Sequence, residues 1–193
     1  PTSVYAVTKR DQEELCLSVG IAYKIPTVAL RYFNVYGPRQ ALSNPYTGVC
    51  AIFSSRILNG KPPVIWEDGE QKRDFVHVRD IAQANLLALE KQEADYQVFN
   101  VGTGEGVSIG TVAKKIAERL GMPFKAEYPR KFRAGDIRHC FADISKIKRM
   151  LGYSPSVFFD KGVDILIEWA QEQKCEDKME QAMKELRSKG LAS

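Results

Sequence analysis

Tyr5 and Lys9 lie four residues apart near the start of the chain. On a helix this spacing puts both side chains on one face, a turn apart. A phenol ordinarily keeps its proton until about pH 10, so a tyrosine acts as a base only when something favours its phenolate. A lysine ammonium about 5 Å away supplies roughly 3 kcal/mol at an effective dielectric of about 20. A second positive charge, such as an oxidised nicotinamide ring, would supply the remainder. The pair therefore suits proton transfer at a hydroxyl. The same spacing also occurs on ordinary exposed helices, so the surrounding sequence has to decide.

A second chemical feature is a basic cluster. Residues 125–150 hold eight Lys or Arg (Lys125, Arg130, Lys131, Arg133, Arg138, Lys146, Lys148, Arg149) against three acids (Glu127, Asp136, Asp143). That surplus of five exceeds the net charge of +4 carried by all 193 residues. An anionic ligand fits such a cluster, as does a solvated helix face.

The elements that must carry these residues alternate between strand and helix. Leu15, Val19 and Ala22 recur at helical spacing and predict a helix over 4–24, ended by Pro26. The run 27–33 reads as a strand buried on both faces, as in a parallel sheet. A helix follows over 49–57, then a short strand at Val64-Ile65-Trp66 and a turn at 67–70. A strand at 75–78 leads into a helix over 81–89. The run 98–101 is a further buried strand, turned by Gly102-Thr103-Gly104 into a helix over 109–120. Asp143 or Ser145 can cap a short helix that ends at Leu151-Gly152. Another helix starts at Asp160, and a charged, exposed helical tail begins at 174. This alternation predicts an α/β fold.

Several classes are excluded. The chain is 44% apolar and 27% charged, an ordinary globular balance. No run approaches 18 apolar residues, so no membrane partner is expected. The four cysteines, at 16, 50, 140 and 175, form no CxxC pair, and there are only two histidines, so no metal site is expected. Reduced thiols and the lack of a visible signal peptide suggest a cytoplasmic protein. Gly102-x-Gly104-x-Gly106 imitates a dinucleotide fingerprint, but Val107 stands where the third glycine of GxGxxG is required, and the segment reads as a late strand-to-helix turn.

A series of segments occurs in fixed order: Tyr5-Ala6-Val7-Thr8-Lys9; Arg31-Tyr32-Phe33-Asn34-Val35-Tyr36-Gly37-Pro38-Arg39; Asp68-Gly69-Glu70-Gln71-Lys72-Arg73-Asp74-Phe75-Val76-His77-Val78; Phe99-Asn100-Val101-Gly102-Thr103-Gly104; and Arg133-Ala134-Gly135-Asp136-Ile137-Arg138. The ordered set resembles the extended short-chain dehydrogenase/reductase family, within it the NAD-dependent nucleotide-sugar 4-epimerases, over residues 1 to about 170. The resemblance implies a partial Rossmann-type parallel sheet (late strands only) and a smaller α/β substrate-binding domain. Residues 1–40 and 75–103 would be the remainder of the NAD-binding domain, 41–74 and 104–173 the nucleotide-sugar-binding domain, and 174–193 the tail.

Roles follow from the resemblance residue by residue. Tyr5 would be the catalytic base. Lys9 would favour its phenolate and hold the nicotinamide ribose, and Tyr32 would pass the nicotinamide. Asn34 would donate to the substrate diphosphate, and Arg73 and Arg133 would clamp it. Asp136 would take the uridine ribose hydroxyls, and the backbone of Val64, Ile65 and Trp66 would face the uracil. Arginine forks match a diphosphate bidentately. Cys140, at the position that faces the sugar's C2 region, implies room for an N-acetyl group. The cofactor would be NAD, the substrate a UDP-hexose, and the partner a second copy docked through the helix carrying Tyr5.

The Gly-rich NAD loop that family members carry before the tyrosine is not in this chain. The resemblance thus implies a piece lacking most of the NAD half, inactive alone. Three alternatives stand beside the 4-epimerase. One is a nucleotide-sugar 4,6-dehydratase or decarboxylase of the same family. Another is a non-catalytic nucleotide-sugar-binding module. The third is a nucleic-acid binder using residues 125–150, which no motif supports.

Overall fold

The computed structural model describes residues 1–44, 47–130 and 137–188. Helix α1 spans Val4–Tyr23, followed by strands β1 (Ala29–Tyr32) and β2 (Asn34–Tyr36) and helix α2 (Val49–Leu58). Strands β3 (Lys72–Arg73) and β4 (Phe75–His77) lead into α3 (Val78–Glu90), then β5 (Val98–Val101). After β6 (Val107–Ser108) come α4 (Ile109–Arg119), β7 (His139–Cys140), α5 (Ser145–Leu151), α6 (Phe159–Gln171) and α7 (Met179–Ser188). The chain forms two compact units. The first takes Pro1–Val35, Lys72–Val107 and the described part of Lys131–Phe158; the second takes Tyr36–Gln71, Ser108–Arg130 and Phe159 onward.

In the first unit β1 and β5 run parallel, in register from Ala29 opposite Val98 to Tyr32 opposite Val101. Parallel neighbours need a long crossover, which α2 through α3 and their loops provide. β3 and β7 are also parallel, with Lys72 opposite His139 and Arg73 opposite Cys140. The core gathers Val76, Ile81, Ala84, Ala88, Phe99, Val101, Ile147, Leu151 and Tyr153. Ile81, Ala84 and Ala88 recur at helical spacing on α3, and Ile147 and Leu151 form a one-turn pair on α5. Full burial of a side chain such as Leu151 stabilises the fold by roughly 1.5–3 kcal/mol.

α3 begins three residues earlier than the apolar pattern predicts, because His77 caps it. Its Nδ1 accepts the Arg79 N–H at 3.2 Å. Burial lowers the His77 pKa, and a proton on Nδ1 would remove that cap. The run 27–33 is not buried on both faces as expected: Arg31 and Tyr32 are exposed, because β1 has β5 as its only paired strand among the described residues. α1 forms over the predicted span, but Gly20 is its only buried residue, and Leu15 and Val19 are exposed.

The second unit is built on α2, α4 and α6, which contact one another. Each presents a stripe: Cys50, Ala51, Phe53 and Ile57; Ile109, Val112, Ala113, Ile116 and Ala117; and Phe159, Val163, Leu166, Ile167 and Ala170. The predicted strand at 64–66 is only a single parallel bridge, Val64 to Glu127. The tail is not wholly exposed. The Asp177 side chain is 4% accessible and lies 3.1 Å from Arg56, whose Nε donates to the Pro62 carbonyl. A buried pair of this kind is costly to break from one side.

Tyr36 and Phe159 meet with ring centroids 5.4 Å apart, and Gly162 lies so close that a Cβ there would strike the Tyr36 hydroxyl and ring. Gly162→Ala is expected to lower stability by about 1–3 kcal/mol, since a packed aromatic must move. Urea unfolding checks this, and an unchanged midpoint would contradict it.

Candidate active site

Tyr5 and Lys9 lie in the first turns of α1. The helix is started by Ser3, whose Oγ accepts the Ala6 N–H at 3.2 Å. The predicted shared face is present: Lys9 Nζ stands 5.7 Å from the centroid of the Tyr5 ring. Nζ also donates to Gln12 Oε1 at 3.2 Å, which steadies the ammonium. Tyr5 is 71% exposed.

α1 is tied to β1 by a two-pronged ion pair. Arg31 Nε donates to Glu13 Oε2 at 2.7 Å, and Nη2 donates to Oε1 at 2.6 Å. Fork-on-carboxylate geometry fixes orientation as well as distance. The next residue, Tyr32, donates its hydroxyl to Asn85 Oδ1 at 2.9 Å, and Asn85 Nδ2 donates to the Ile81 carbonyl. Tyr5 and Lys9 on the helix and Tyr32 on the strand are thus held by side chains that the motifs alone did not single out.

Asn34, Arg73 and Cys140 meet around one residue, Asp74. The Asn34 N–H donates to the Asp74 carbonyl at 2.9 Å. The Asp74 N–H donates to the Cys140 carbonyl at 3.2 Å. Arg73 precedes Asp74 in sequence and stands opposite Cys140 in the strand pair. The Asp74 carboxylate is fully buried and accepts from Thr103 N (2.8 Å), Thr103 Oγ1 (2.7 Å), Gly104 N (2.9 Å) and Ala142 N (3.2 Å). Arg73 Nη1 donates to the Lys72 and Arg138 carbonyls at 2.9 and 3.1 Å. Among the described residues no carboxylate pairs with Arg73. Sequence reasoning missed Asp74, although it sits inside a quoted motif. An acid flanked by Arg73 and Phe75, in a segment otherwise headed for the core, was the available signal.

Gly102-Thr103-Gly104 is indeed a turn rather than a phosphate cradle. Its outward amides are already spent on an internal carboxylate. Gly102 is required by close approach, because a Cβ there would meet the Asp74 carboxylate and Ala142.

The expected uracil-facing segment lies in the second unit. Ile65 is buried and its N–H donates to the Glu127 carbonyl at 2.8 Å. The Trp66 carbonyl accepts from Gln71 Nε2 at 2.8 Å. Arg133 and Asp136 lie outside the described residues.

The donor set fits one end of an NAD molecule. A phenol and an ammonium share an accessible helix face, the first able to give up a proton and the second able to hold ribose hydroxyls. The Thr103 and Gly104 amides are occupied by Asp74 and are not offered to the dinucleotide's phosphates. Among the described residues no group of His, Cys, Asp and Glu is arranged to hold a metal ion.

The chain belongs to the NAD dependent epimerase/dehydratase family, whose model matches residues 1–102. It is 37% identical over 173 residues to a dTDP-L-rhamnose 4-epimerase of Burkholderia thailandensis, a match covering 90% of this chain and 47% of that protein. Its fold matches a UDP-glucose 4-epimerase from Thermotoga maritima, solved with UDP-glucose, at a TM-score of 0.82 and 38% identity, over 89% of this chain and 54% of that one. It also matches a UDP-N-acetylglucosamine 4-epimerase from Methanobrevibacter ruminantium M1, solved with UDP-N-acetylmuramic acid, at a TM-score of 0.82 and 38% identity, over 90% of this chain and 55% of that one. The chain spans about half the length of these relatives. Its α/β architecture with parallel strands is therefore of the Rossmann-type epimerase kind.

The Arg31 hydrogen bonds hold Glu13 below the usual carboxylate range. An unfolded glutamate takes up its proton near pH 4.3, roughly, and the folded one only at lower pH. The contribution is therefore complete above the unfolded value and is lost as pH falls through the folded one. Glu13→Gln is expected to lower stability at pH 7 and to flatten its decline between about pH 5 and 3. Urea midpoints across that range decide it; an acid limb as steep as in the parent would refute the assignment.

Proposed function

We propose that this chain is the substrate-handling part of an NAD-dependent 4-epimerase acting on a UDP-hexose. The observation that carries the reading is the Tyr5–Lys9 face on α1, in one unit with the joined cluster of Asn34, Arg73 and Cys140. Tyr5, as phenolate, takes the proton of the sugar's 4-hydroxyl and later returns it to the 4-keto sugar. Lys9 favours the phenolate by its charge and would hold the nicotinamide ribose, with Tyr32 beside the ring. NAD, when bound, supplies the hydride acceptor and donor for C4, so that no net oxidation results. Asn34 and Arg73, with Arg133, would hold the diphosphate while the sugar turns between faces. The tether keeps the ketone in the site, an entropic advantage over a free intermediate. Asp136 would take the ribose hydroxyls, and Val64, Ile65 and Trp66 would line the base. Cys140 leaves room for a 2-N-acetyl group, so the N-acetyl sugars are substrates too.

The exposed apolar residues of α1 fit a helix that is covered in the intact enzyme, and we place the homodimer contact there. No helix among the described residues is long and apolar enough to cross a membrane.

The test is a product assay on the intact enzyme with UDP-glucose and NAD. UDP-galactose without a lasting keto product is expected; a 4-keto-6-deoxy sugar or a pentose would assign it instead to the dehydratases or decarboxylases. Turnover of dTDP-L-rhamnose but of no UDP-sugar would overturn the choice of nucleotide. UDP-N-acetylglucosamine is expected to turn over, and Cys140→Tyr to cut that activity at least about tenfold relative to UDP-glucose by filling the pocket. Residues 1–193 alone are expected to show no turnover.

A further inference from the structure

Asp74 touches three chain segments at once. Its N–H reaches the Cys140 carbonyl, its carbonyl takes the Asn34 N–H, and its carboxylate gathers Thr103, Gly104 and Ala142. Arg73 is its neighbour in sequence. Resting on the function proposed above, we infer that Asp74 is a positioning residue, which sets the spacing of Asn34, Arg73 and Cys140 against the substrate without touching it.

Three features support the assignment. The carboxylate has no accessible surface, so it cannot meet a ligand directly. Every donor it collects is a backbone amide or the Thr103 hydroxyl, so its role is to fix main chain rather than to balance a charged side chain. The connection from Ala142 back to β7 is one residue long. Pulling the Ala142 amide onto the carboxylate therefore fixes where Cys140 sits opposite Arg73. Gly102 belongs to the device, because its lack of a Cβ lets the carboxylate reach the turn.

Asp74→Asn is the discriminating variant. It keeps size but puts an NH2 group in one of two bad places. At the Oδ1 position that group faces the Thr103 amide; at Oδ2 it faces the Gly104 and Ala142 amides. Asp80→Asn serves as the control. Asp80 is likewise buried in the first unit and accepts from Ser156 N and Oγ and from Val157 N, but it makes no hydrogen bond to Asn34, Arg73 or Cys140. Both variants are expected to melt earlier.

In the intact enzyme, Asp74→Asn should raise the KM for UDP-glucose about tenfold or more while kcat stays within about threefold, because diphosphate contacts act equally on ground and transition states. Gly102→Ala should do the same, and Asp80→Asn should leave KM within about twofold. Hydrogen exchange on the unliganded enzyme should show faster exchange at Thr103, Gly104 and Ala142 in Asp74→Asn and Gly102→Ala but not in Asp80→Asn. An unchanged KM in Asp74→Asn, an equal KM rise in Asp80→Asn, or unchanged exchange at those amides overturns the inference. Arg73→Ala separates the two levels. If it raises KM and Asp74→Asn does not, only the positioning role falls. If Arg73→Ala leaves UDP-sugar binding untouched, the assignment of the site falls, and the positioning role with it.

Discussion

The first unit depends on one buried carboxylate. Moving an ionised carboxylate out of water costs several kcal/mol even after the protein relaxes, unless its lone pairs are filled. Asp74 fills them with three amides and a hydroxyl from two other segments. Hydrogen bonds to a charged acceptor contribute roughly 1.5–3 kcal/mol each, so a carboxylate so surrounded is stable only in this one arrangement. The geometry is demanding on both sides. Glycine is required at 102, and Tyr153 must keep its phenolic proton to donate to the Gly102 carbonyl at 3.0 Å. Burial, with the charges of Asp80 and Asp74, pushes the Tyr153 phenol up, which keeps that proton in place.

The same unit uses this logic a second time at Asp80, equally buried, which pins the segment after α5 through Ser156 and Val157. Two buried acids thus do the work that side-chain packing alone does elsewhere in the core. Apolar packing tolerates small slides, whereas an acceptor-only group with aimed donors does not. That difference suits strands as short as β3 and β7, where two residues each cannot fix register by themselves.

Local patterns were legible, and long-range polar contacts were not. The helix at α1, the strand at β5 and the stripe of α4 follow from spacing, since each is written within a dozen or so residues. Val64-Ile65-Trp66 looks like a strand by composition, but strand assignment needs a neighbour, and there only Glu127 pairs with it. The start of α3 was missed because His77 is not among the residues usually read as caps. Asp177 was assigned to a solvated tail because its partner, Arg56, lies 121 residues away in sequence. Motifs singled out Tyr5, Lys9, Arg73 and Cys140 for the proposed site; the structure puts Lys9 beside the Tyr5 ring and Arg73 opposite Cys140. Asp74, Asn85 and Glu13 act on their neighbours' geometry, and nothing in a one-dimensional pattern states what a carboxylate will find around it.

The internal anion of this unit and the external one of the proposed function call for different chemistry. The 102–104 turn has the backbone amides that could hold a phosphate, yet it holds Asp74. Under the proposed function, an external diphosphate would then be met by side chains. Arg73 would suit that role: its Nη1 is committed to the Lys72 and Arg138 carbonyls, which fixes the guanidinium plane while the Nε and Nη2 edge makes no described hydrogen bond. A guanidinium with one edge pinned loses less rotamer entropy when its other edge binds than a free arginine does. A lysine at 73 would supply charge without the plane, and the carbonyls that orient Arg73 would have nothing flat to orient. The internal acid fixes the main chain, the main-chain carbonyls fix the arginine, and in the proposed function the open edge would meet a ligand with oxygens to accept it.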